Sequence, residues 1–317
     1  AMLLSAIYET DFHEFSYGFR EKRSAHDAIK SVRESCYQAK VSTIIDADVS
    51  KFFDKMPHDR IREILRLRIN DGKILQMIGK WLKAGVVEND SVVYPSCGSP
   101  QGGVISPLVA NIFLHHALDE WFVGQAQPKL MGRSFIVRFA DDFIIGCQNH
   151  NDAQKLMRVL PKRFEKFGLT IHPEKSKIVH FRWPSKLSKK STTGTFDFLG
   201  FTHYWGRSRN GYWVVKRQTM GKRQAKAMRS IYQYCRNNRH DTVKEQLKML
   251  RTKLYGLYGY YGIRGNYRLL WMLYQHTRKC WHKWLSRRSH TGYINWTKFG
   301  EFLKVWKLPE PRITKKV

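Results

Sequence analysis

The stretch RFADDFIIGC (138–147) sets two aspartates, Asp141 and Asp142, side by side between short apolar runs. Asp favours turns, so a single aspartate there would ordinarily be structural. A pair is different: like charges a few ångströms apart repel, and without a cation one carboxyl tends to keep its proton. A divalent cation removes that penalty and becomes the largest local charge. A third acid, Asp48 in IDADVSKFFDKM, stands at the end of a β-branched run. Carboxylates with no His or Cys pattern beside them suit a hard ion, Mg²⁺ best of all. Mg²⁺ held by one or two carboxylates plus substrate phosphates is a phosphoryl-transfer arrangement. Two such ions about 3.5–4 Å apart can activate a 3′-hydroxyl and stabilise a leaving pyrophosphate.

The elements that must position these acids follow from the pattern. VSTIIDADVS (41–50) begins as a β-branched strand that ends near Asp46 or Asp48, and SFIVRFADDFIIGC (134–147) predicts two strands joined by a tight turn at the acidic pair. Residues 24–36 and 59–69 predict helices, the second capped by Asp59 with Ile61, Ile64 and Leu65 at helical spacing. Residues 99–122 predict a Gly/Pro loop feeding a long apolar helix. NDAQKLMRVLPKRFEKFGLTI (151–171) predicts a helix leading to a strand. Residues 184–195 are a Ser/Lys/Thr loop, and the following stretch to 215 predicts a hairpin turning at SRNG. From about residue 216 the composition turns helical, basic and aromatic-rich, which sets a domain boundary there. Strands and helices in this order predict an α+β sheet packed by helices.

The chain has 317 residues, with 56 Lys+Arg against 26 Asp+Glu, a net charge of +30. Such a surface opposes compaction and most often faces a polyanion, nucleic acid first; a merely soluble basic protein is the plainer alternative. A hydrophobic share of 42% and an aromatic share of 14% support a packed core rather than a disordered chain. Five scattered cysteines without a C-x-x-C pair argue against a disulfide framework or a zinc site and fit a reducing cytosol. The thirteen histidines, His115, His116 and His282 among them, offer no zinc or nuclease spacing and read as packing or phosphate-facing residues. No apolar run approaches a membrane span. The N-terminus AMLLSAIYETDF reads as the middle of an amphipathic helix rather than a signal peptide.

Near the C-terminus, Leu254, Leu257, Tyr258 and Tyr261 predict one apolar helix face. Lys279, Lys283 and Arg287 recur every fourth residue as a basic stripe, with Arg288 beside it, and Trp281, Trp284 and Leu285 should turn inward. Aromatic rings interleaved with cations fit folded RNA, where phosphates meet charge and unstacked bases meet rings. A small helical bundle with a solvated basic face is the plainer reading.

Taken in order, IDADVSKFFDKMPHD, GSPQGGVISPLVANIFLHHALDEW, VRFADDFIIG, GLTIHPEKSKIVHF and FDFLGF resemble the successive motifs of reverse transcriptases. DFHEFSYGFREKRSAHDAI fits the preceding motif. KLYGLYGYYGIRGNYRLLWMLYQHTRKCWHKWLSRRS and TKFGEFLKVWKLPEPRI resemble the maturase region of bacterial group II intron-encoded proteins. The resemblance covers nearly the whole chain. It implies a polymerase palm, an antiparallel sheet packed by helices, with partial fingers and then an all-α thumb and maturase region. The segments would be fingers 1–40, palm 41–215, thumb 216–250 and a maturase (domain X)-like part 251–317. The implied activity is RNA-directed DNA synthesis, together with binding of group II intron RNA in support of splicing and mobility, in the bacterial cytoplasm. The implied partners are an RNA template, a DNA primer and dNTPs, with two Mg²⁺ ions, or Mn²⁺ in their place.

Position by position, the resemblance makes Asp48, the Val49 carbonyl and Asp141 metal ligands, with Asp142 as acidic companion. Phe53 would sit under the sugar of the incoming nucleotide and exclude a 2′-hydroxyl; plain core packing beside Phe52 is its alternative. Gln101 would touch template and nucleotide, Gly102 would allow close backbone approach, and Lys175 would lie beside the triphosphate. Phe139, where many relatives have Tyr, would pack near the primer end. The FLGF hairpin, with Phe198 and Gly200, would grip the primer backbone, and Lys279, Lys283, Arg287 and Arg288 would contact RNA. Family members carry a segment ahead of the YETDFHEFSYGF stretch that supplies the outer fingers; here Arg20 and Arg23 stand as partial substitutes. Two alternatives stay open: a truncated, non-catalytic RNA-binding splicing cofactor, and a domesticated CRISPR-associated or retron-like reverse transcriptase.

Overall fold

The β-branched run Thr43–Ala47 forms strand β1 at the heart of a four-stranded antiparallel sheet. The computed structural model describes residues 1–83, 86–88, 91–93, 97–98, 103–185, 193–289 and 291–315. Ahead of β1 lie helices α1 (Met2–Tyr8) and α2 (Ala25–Gln38). Ser24 starts α2 through a reciprocal capping box with Asp27. After β1 come α3 (Phe52–Lys55), α4 (His58–Arg66), α5 (Gly72–Leu82) and the short strands β2 (Val86–Glu88) and β3 (Ser91–Val93). The cap expected at Asp59 falls instead on Pro57, and Asp59 lies in the first turn of α4, where its charge meets the helix dipole.

The apolar run from Ser106 opens as α6 (Ser106–Leu114) and continues through π-helical turns at His115–Asp119 and Phe122–Ala126. Strands β4 (Ser134–Phe139) and β5 (Asp142–Cys147) follow as the expected hairpin, then α7 (His150–Glu165) and β6 (Lys177–His180). The strand expected directly after α7 is reduced to a bridge between Val49 and Ile171. The sheet order is β4-β5-β1-β6. Strands β7 (Phe196–Phe198), β8 (Phe201–Arg207) and β9 (Trp213–Thr219) form a second, three-stranded sheet. The β8–β9 connection is closed at Ser208–Gly211 by a bond from the Gly211 amide to the Ser208 carbonyl.

Alternation along the strands gives the first sheet two apolar faces. Ile45, Ala47, Phe143 and Ile145 pack on one side with residues from α1, α4, α5, α6 and α7. Ile44, Val137 and Ile144 pack on the other with α2 and with Phe196, Phe198 and Trp205.

The chain divides into two compact units, residues 1–199 with 204–215, and residues 200–203 with 216–317. The second unit is built from α8 (Gly221–Asn237), α9 (Val243–Tyr261), α10 (Tyr267–Leu285) and α11 (Trp296–Val305). Thr242 and Glu245 form a capping box at the start of α9. The core of this unit is built around Leu250, Leu254, Tyr258, Leu270, Trp281 and Phe299. Trp281, Trp284 and Leu285 are buried as their spacing predicts; Leu257 and Tyr261 are half-buried. Residues 216–317 hold 25 Lys+Arg against 4 Asp+Glu, so most of the protein's excess positive charge lies in this stretch. Among the described residues, no helix is long and apolar enough to cross a membrane.

Candidate active site

Strand register gathers the acids. Ala47 pairs with Phe143, and Asp46 with Lys177. Asp48 follows directly on β1, next to the last pair with β5, whereas on the β6 side the register breaks: Val49 bridges to Ile171 and Lys175 lies in the turn ahead of β6. Lys175 Nζ lies 3.1 Å from Asp48 Oδ2, and Lys177 Nζ lies 3.6 Å from Asp46 Oδ2. Phe139 pairs with Asp142. Asp142, paired with Phe139 on the hairpin, and Asp48, ion-paired with Lys175, therefore stand at the same end of the sheet. By strand alternation, Asp46, Asp48 and Asp142 share a face with Ile44 and Ile144, so the acids begin where the second core's apolar side chains end.

Both turns that carry the acids are held from behind. Ala140, beside Asp141, has a φ of 56°, a region that side chains with a Cβ disfavour. Arg138, wholly buried, donates to the Ala140 carbonyl at 3.1 Å and to Asn111 Oδ1 at 3.0 Å. Its other nitrogens pair with both oxygens of Asp119, also wholly buried. Gly18 backs directly onto the turn: a Cβ there would lie 2.3 Å from the Ala140 amide nitrogen. Gly18→Ala should therefore displace the turn and destabilise the protein by about 1–3 kcal/mol, the usual range for overpacking; urea denaturation checks this. On the other strand, the Asp48 carbonyl accepts from His172 N–H at 2.7 Å, and its amide donates to Ser176 Oγ at 3.2 Å.

Crowding sets the electrostatics. Burial pushes the Asp142 carboxyl up to about 7, with repulsion from Asp46, Asp141 and Asp48 adding to it; a bond from the Leu199 N–H acts the other way. Asp142 is exposed as a residue, yet protein atoms crowd its carboxyl. Burial, with Asp48 adding, also raises Asp141. Asp46 is raised by burial, with Asp197 and Asp48 adding and Lys177 opposing. Five carboxylates thus interact in one patch of a strongly basic protein. Asp46 and Asp197 were not singled out in the sequence; Asp46, two residues before Asp48, could have been found from strand alternation.

Phe53 is half-buried against the first core, its ring 5.3 Å from that of Phe52. Val49 is buried. Phe139 is half-buried, 6.5 Å from the Phe19 ring. Phe198 is buried and closes β7; Leu199 (φ 49°) and Gly200 (φ 77°) make the two-residue link to β8, and it is the Leu199 amide that reaches Asp142. Gln101 and Gly102 lie outside the described residues. In the second unit, Lys279, Lys283 and Arg287 are at least partly exposed on α10 and just beyond it. Arg288 donates to the Asp241 carbonyl.

Asp48, Asp141 and Asp142 do not bring their oxygens within 4.8 Å of one another as a group. Among the described residues, the one set of three or more His, Cys, Asp or Glu side chains that close is His13, His115 and Glu120, which could hold one metal ion. The histidines show no zinc or nuclease spacing in the sequence. His13 and His115 are 102 positions apart, and no spacing rule spans that distance.

A mixed α+β region whose sheet presents an acidic hairpin, followed by an all-α region, defines a palm-like architecture. The chain belongs to the reverse transcriptase (RNA-dependent DNA polymerase) family, whose profile matches residues 1–203. It is 33% identical over 174 residues to Protein YkfC of Escherichia coli, covering 45% of each chain. It is 40% identical over 161 residues to the group II intron-encoded protein LtrA of Lactococcus lactis, covering 51% of this chain and 26% of that one. A putative COX1/OXI3 intron 2 protein of Saccharomyces cerevisiae is 27% identical over 230 residues, covering 56% of this chain and 27% of that one. The matched region is thus less than half the length of each of these relatives.

Proposed function

We propose that the chain is the polymerising and RNA-binding part of a group II intron-encoded reverse transcriptase and maturase. In this reading it extends a DNA primer on an RNA template with dNTPs, and its second unit binds intron RNA in support of splicing. The observation that carries the reading is the acidic patch of Asp46, Asp48, Asp141 and Asp142 at the end of the sheet, with Lys175 paired to Asp48. Kinship to LtrA, a group II intron-encoded protein, supports the intron connection.

The donor set fits hard divalent cations: carboxylates that burial and mutual repulsion hold at raised pKa are relieved by positive charge. Asp48, the Val49 carbonyl and Asp141 would hold two Mg²⁺ or Mn²⁺ ions, with Asp142 beside them. When bound, such ions supply Lewis-acid polarisation and neutralise phosphate charge. The protein's own contribution is positional. Lys175 now pairs with Asp48 and is exposed, so it can exchange that partner for a triphosphate oxygen. Phe53, in the short helix that follows Asp48, would bar a 2′-hydroxyl by bulk. Gln101 and Gly102 would meet the template, and Phe198 and Gly200 the primer. The fingers, palm, thumb and maturase segments (1–40, 41–215, 216–250, 251–317) follow this reading, with α9 running unbroken through residues 250–251.

The test is primer extension with an RNA template, DNA primer, dNTPs and Mg²⁺, set beside an Asp141→Ala/Asp142→Ala control. Extension by the parent alone supports the polymerase; none by either removes it. Phe53→Val should raise ribonucleotide incorporation about tenfold or more, since discrimination against one hydroxyl by a pocket wall reaches this scale. Unchanged sugar selection would reassign Phe53 to packing.

A second reading, a non-catalytic RNA-binding cofactor, draws on the Asp48–Lys175 ion pair and on the 25-to-4 charge excess of residues 216–317. Under either reading RNA affinity should fall steeply with salt. Replacing Lys279, Lys283 and Arg287 with Gln should flatten the log–log slope by about 1 for each phosphate that is no longer neutralised. Filter binding across a salt series measures it, and a slope equal to the parent's would take these residues out of the RNA surface.

A further inference from the structure

We propose that His13, His115 and Glu120 form a binding site for one zinc ion, made of residues other than those of the acidic patch. The Nε2 atoms of His13 and His115 lie 2.9 Å and 3.5 Å from the same oxygen, Glu120 Oε1. In a tetrahedral site with Zn–ligand bonds of about 2.0–2.1 Å, neighbouring donor atoms stand about 3.3 Å apart. Two of the three donor separations therefore already approach that spacing, and the donor atoms of all three residues lie within 4.8 Å of one another. Glu120 is half exposed, which leaves the remaining position to water.

The backbone is arranged for this convergence. In an α-helix, residues five apart diverge by about 140° around the axis. Here the chain makes a π-helical turn over His115–Asp119, closed by a bond from the Glu120 N–H to the His115 carbonyl. That i→i+5 turn brings His115 and Glu120 to one side of the helix; such turns are rare and often mark functional positions. His13 is pinned from its own side, its carbonyl accepting from Arg20 at 2.6 Å and from the Ser16 amide at 3.2 Å. Its ring stacks on Phe15 at 4.9 Å. His115 is buried and packs edge-on to Phe12 at 5.6 Å. Two imidazoles and one carboxylate are a borderline-soft donor set that selects Zn²⁺ or a neighbouring transition metal over Mg²⁺. The bound ion would cross-link the segment around His13 to the helix that also supplies Asn111 and Asp119.

The test uses the full chain stripped by chelator and titrated with Zn²⁺ by calorimetry, with Co²⁺ as a spectroscopic probe. One tight equivalent is expected, with the visible absorption of low-coordinate Co²⁺, unaffected by millimolar Mg²⁺. His13→Ala and Glu120→Gln, both at partly exposed positions and checked for folding by circular dichroism, should each weaken binding at least about tenfold, the loss that even outer-shell changes produce. His150→Ala, which breaks the His150–His180 ring stack, should leave it intact. Added Zn²⁺ should raise the parent's melting temperature but not that of the His13→Ala variant. Zinc uptake of equal stoichiometry and affinity in the His13→Ala/Glu120→Gln double variant, or no uptake by the parent, overturns the proposal.

Discussion

Asp119→Ala should destabilise the protein by about 3–5 kcal/mol, the cost of leaving one partner of a buried ion pair alone. Arg138 cannot shed its charge, and its guanidinium bonds to protein on every side: both Asp119 oxygens, Asn111 and the Ala140 carbonyl. Removing the carboxylate leaves a guanidinium in the core with no counter-charge. Arg138→Met combined with Asp119→Leu removes both charges and should recover most of that loss, because apolar replacement of a buried pair is often neutral. The double variant nevertheless loses the bond to the Ala140 carbonyl, which helps to hold a positive φ beside Asp141. Its stability should return while its primer extension stays depressed. Urea denaturation of the parent, the single and the double variants measures the first effect. A single variant within about 1 kcal/mol of the parent would mean that water reaches Arg138.

What the sequence conveyed here was local. The run TIIDA and the RFADD turn carry their own propensities, so strand β1 and the β4–β5 hairpin could be read directly. Their alternation put Asp48 at a strand end before any pairing was known. Arg138 could not be read in the same way. An arginine in a strand looks like a solvated charge, and its partner Asp119 stands nineteen residues upstream on a helix whose register a π turn has shifted. The same turn hid Glu120, because a 3.6-residue period does not place it with His115. Asp59 failed as a cap because Pro57, with its fixed φ, already starts the helix. Asp197 joined the acidic patch only through the second sheet, and nothing in FDFLGF announces a neighbour about 150 residues away.

Asp142→Asn should abolish primer extension and at the same time stabilise the metal-free protein, with a pH dependence that identifies the cause. The folded carboxyl titrates at about 7, whereas an unfolded aspartate titrates at about 3.9. Between about pH 4 and 7 the folded state holds a proton that the unfolded state has released. That contribution favours folding at low pH and is lost as pH rises through 7. Asparagine carries no charge, so its advantage over the parent should be near zero below about pH 4, grow across the window, and level off above about pH 7. Because Asp142 is exposed, screening limits the plateau to about 1–2 kcal/mol. Extension should fall at least about 100-fold, the scale of losing one preorganised charge interaction in a transition state. A substitution that merely damaged packing would lower both stability and activity at every pH. Opposite signs, with a stability gain that is absent below about pH 4 and complete above about pH 7, are what a cation-receiving carboxylate cluster requires. A pH-independent difference would show that burial and repulsion do not govern Asp142, and undiminished extension would remove it from the polymerase site.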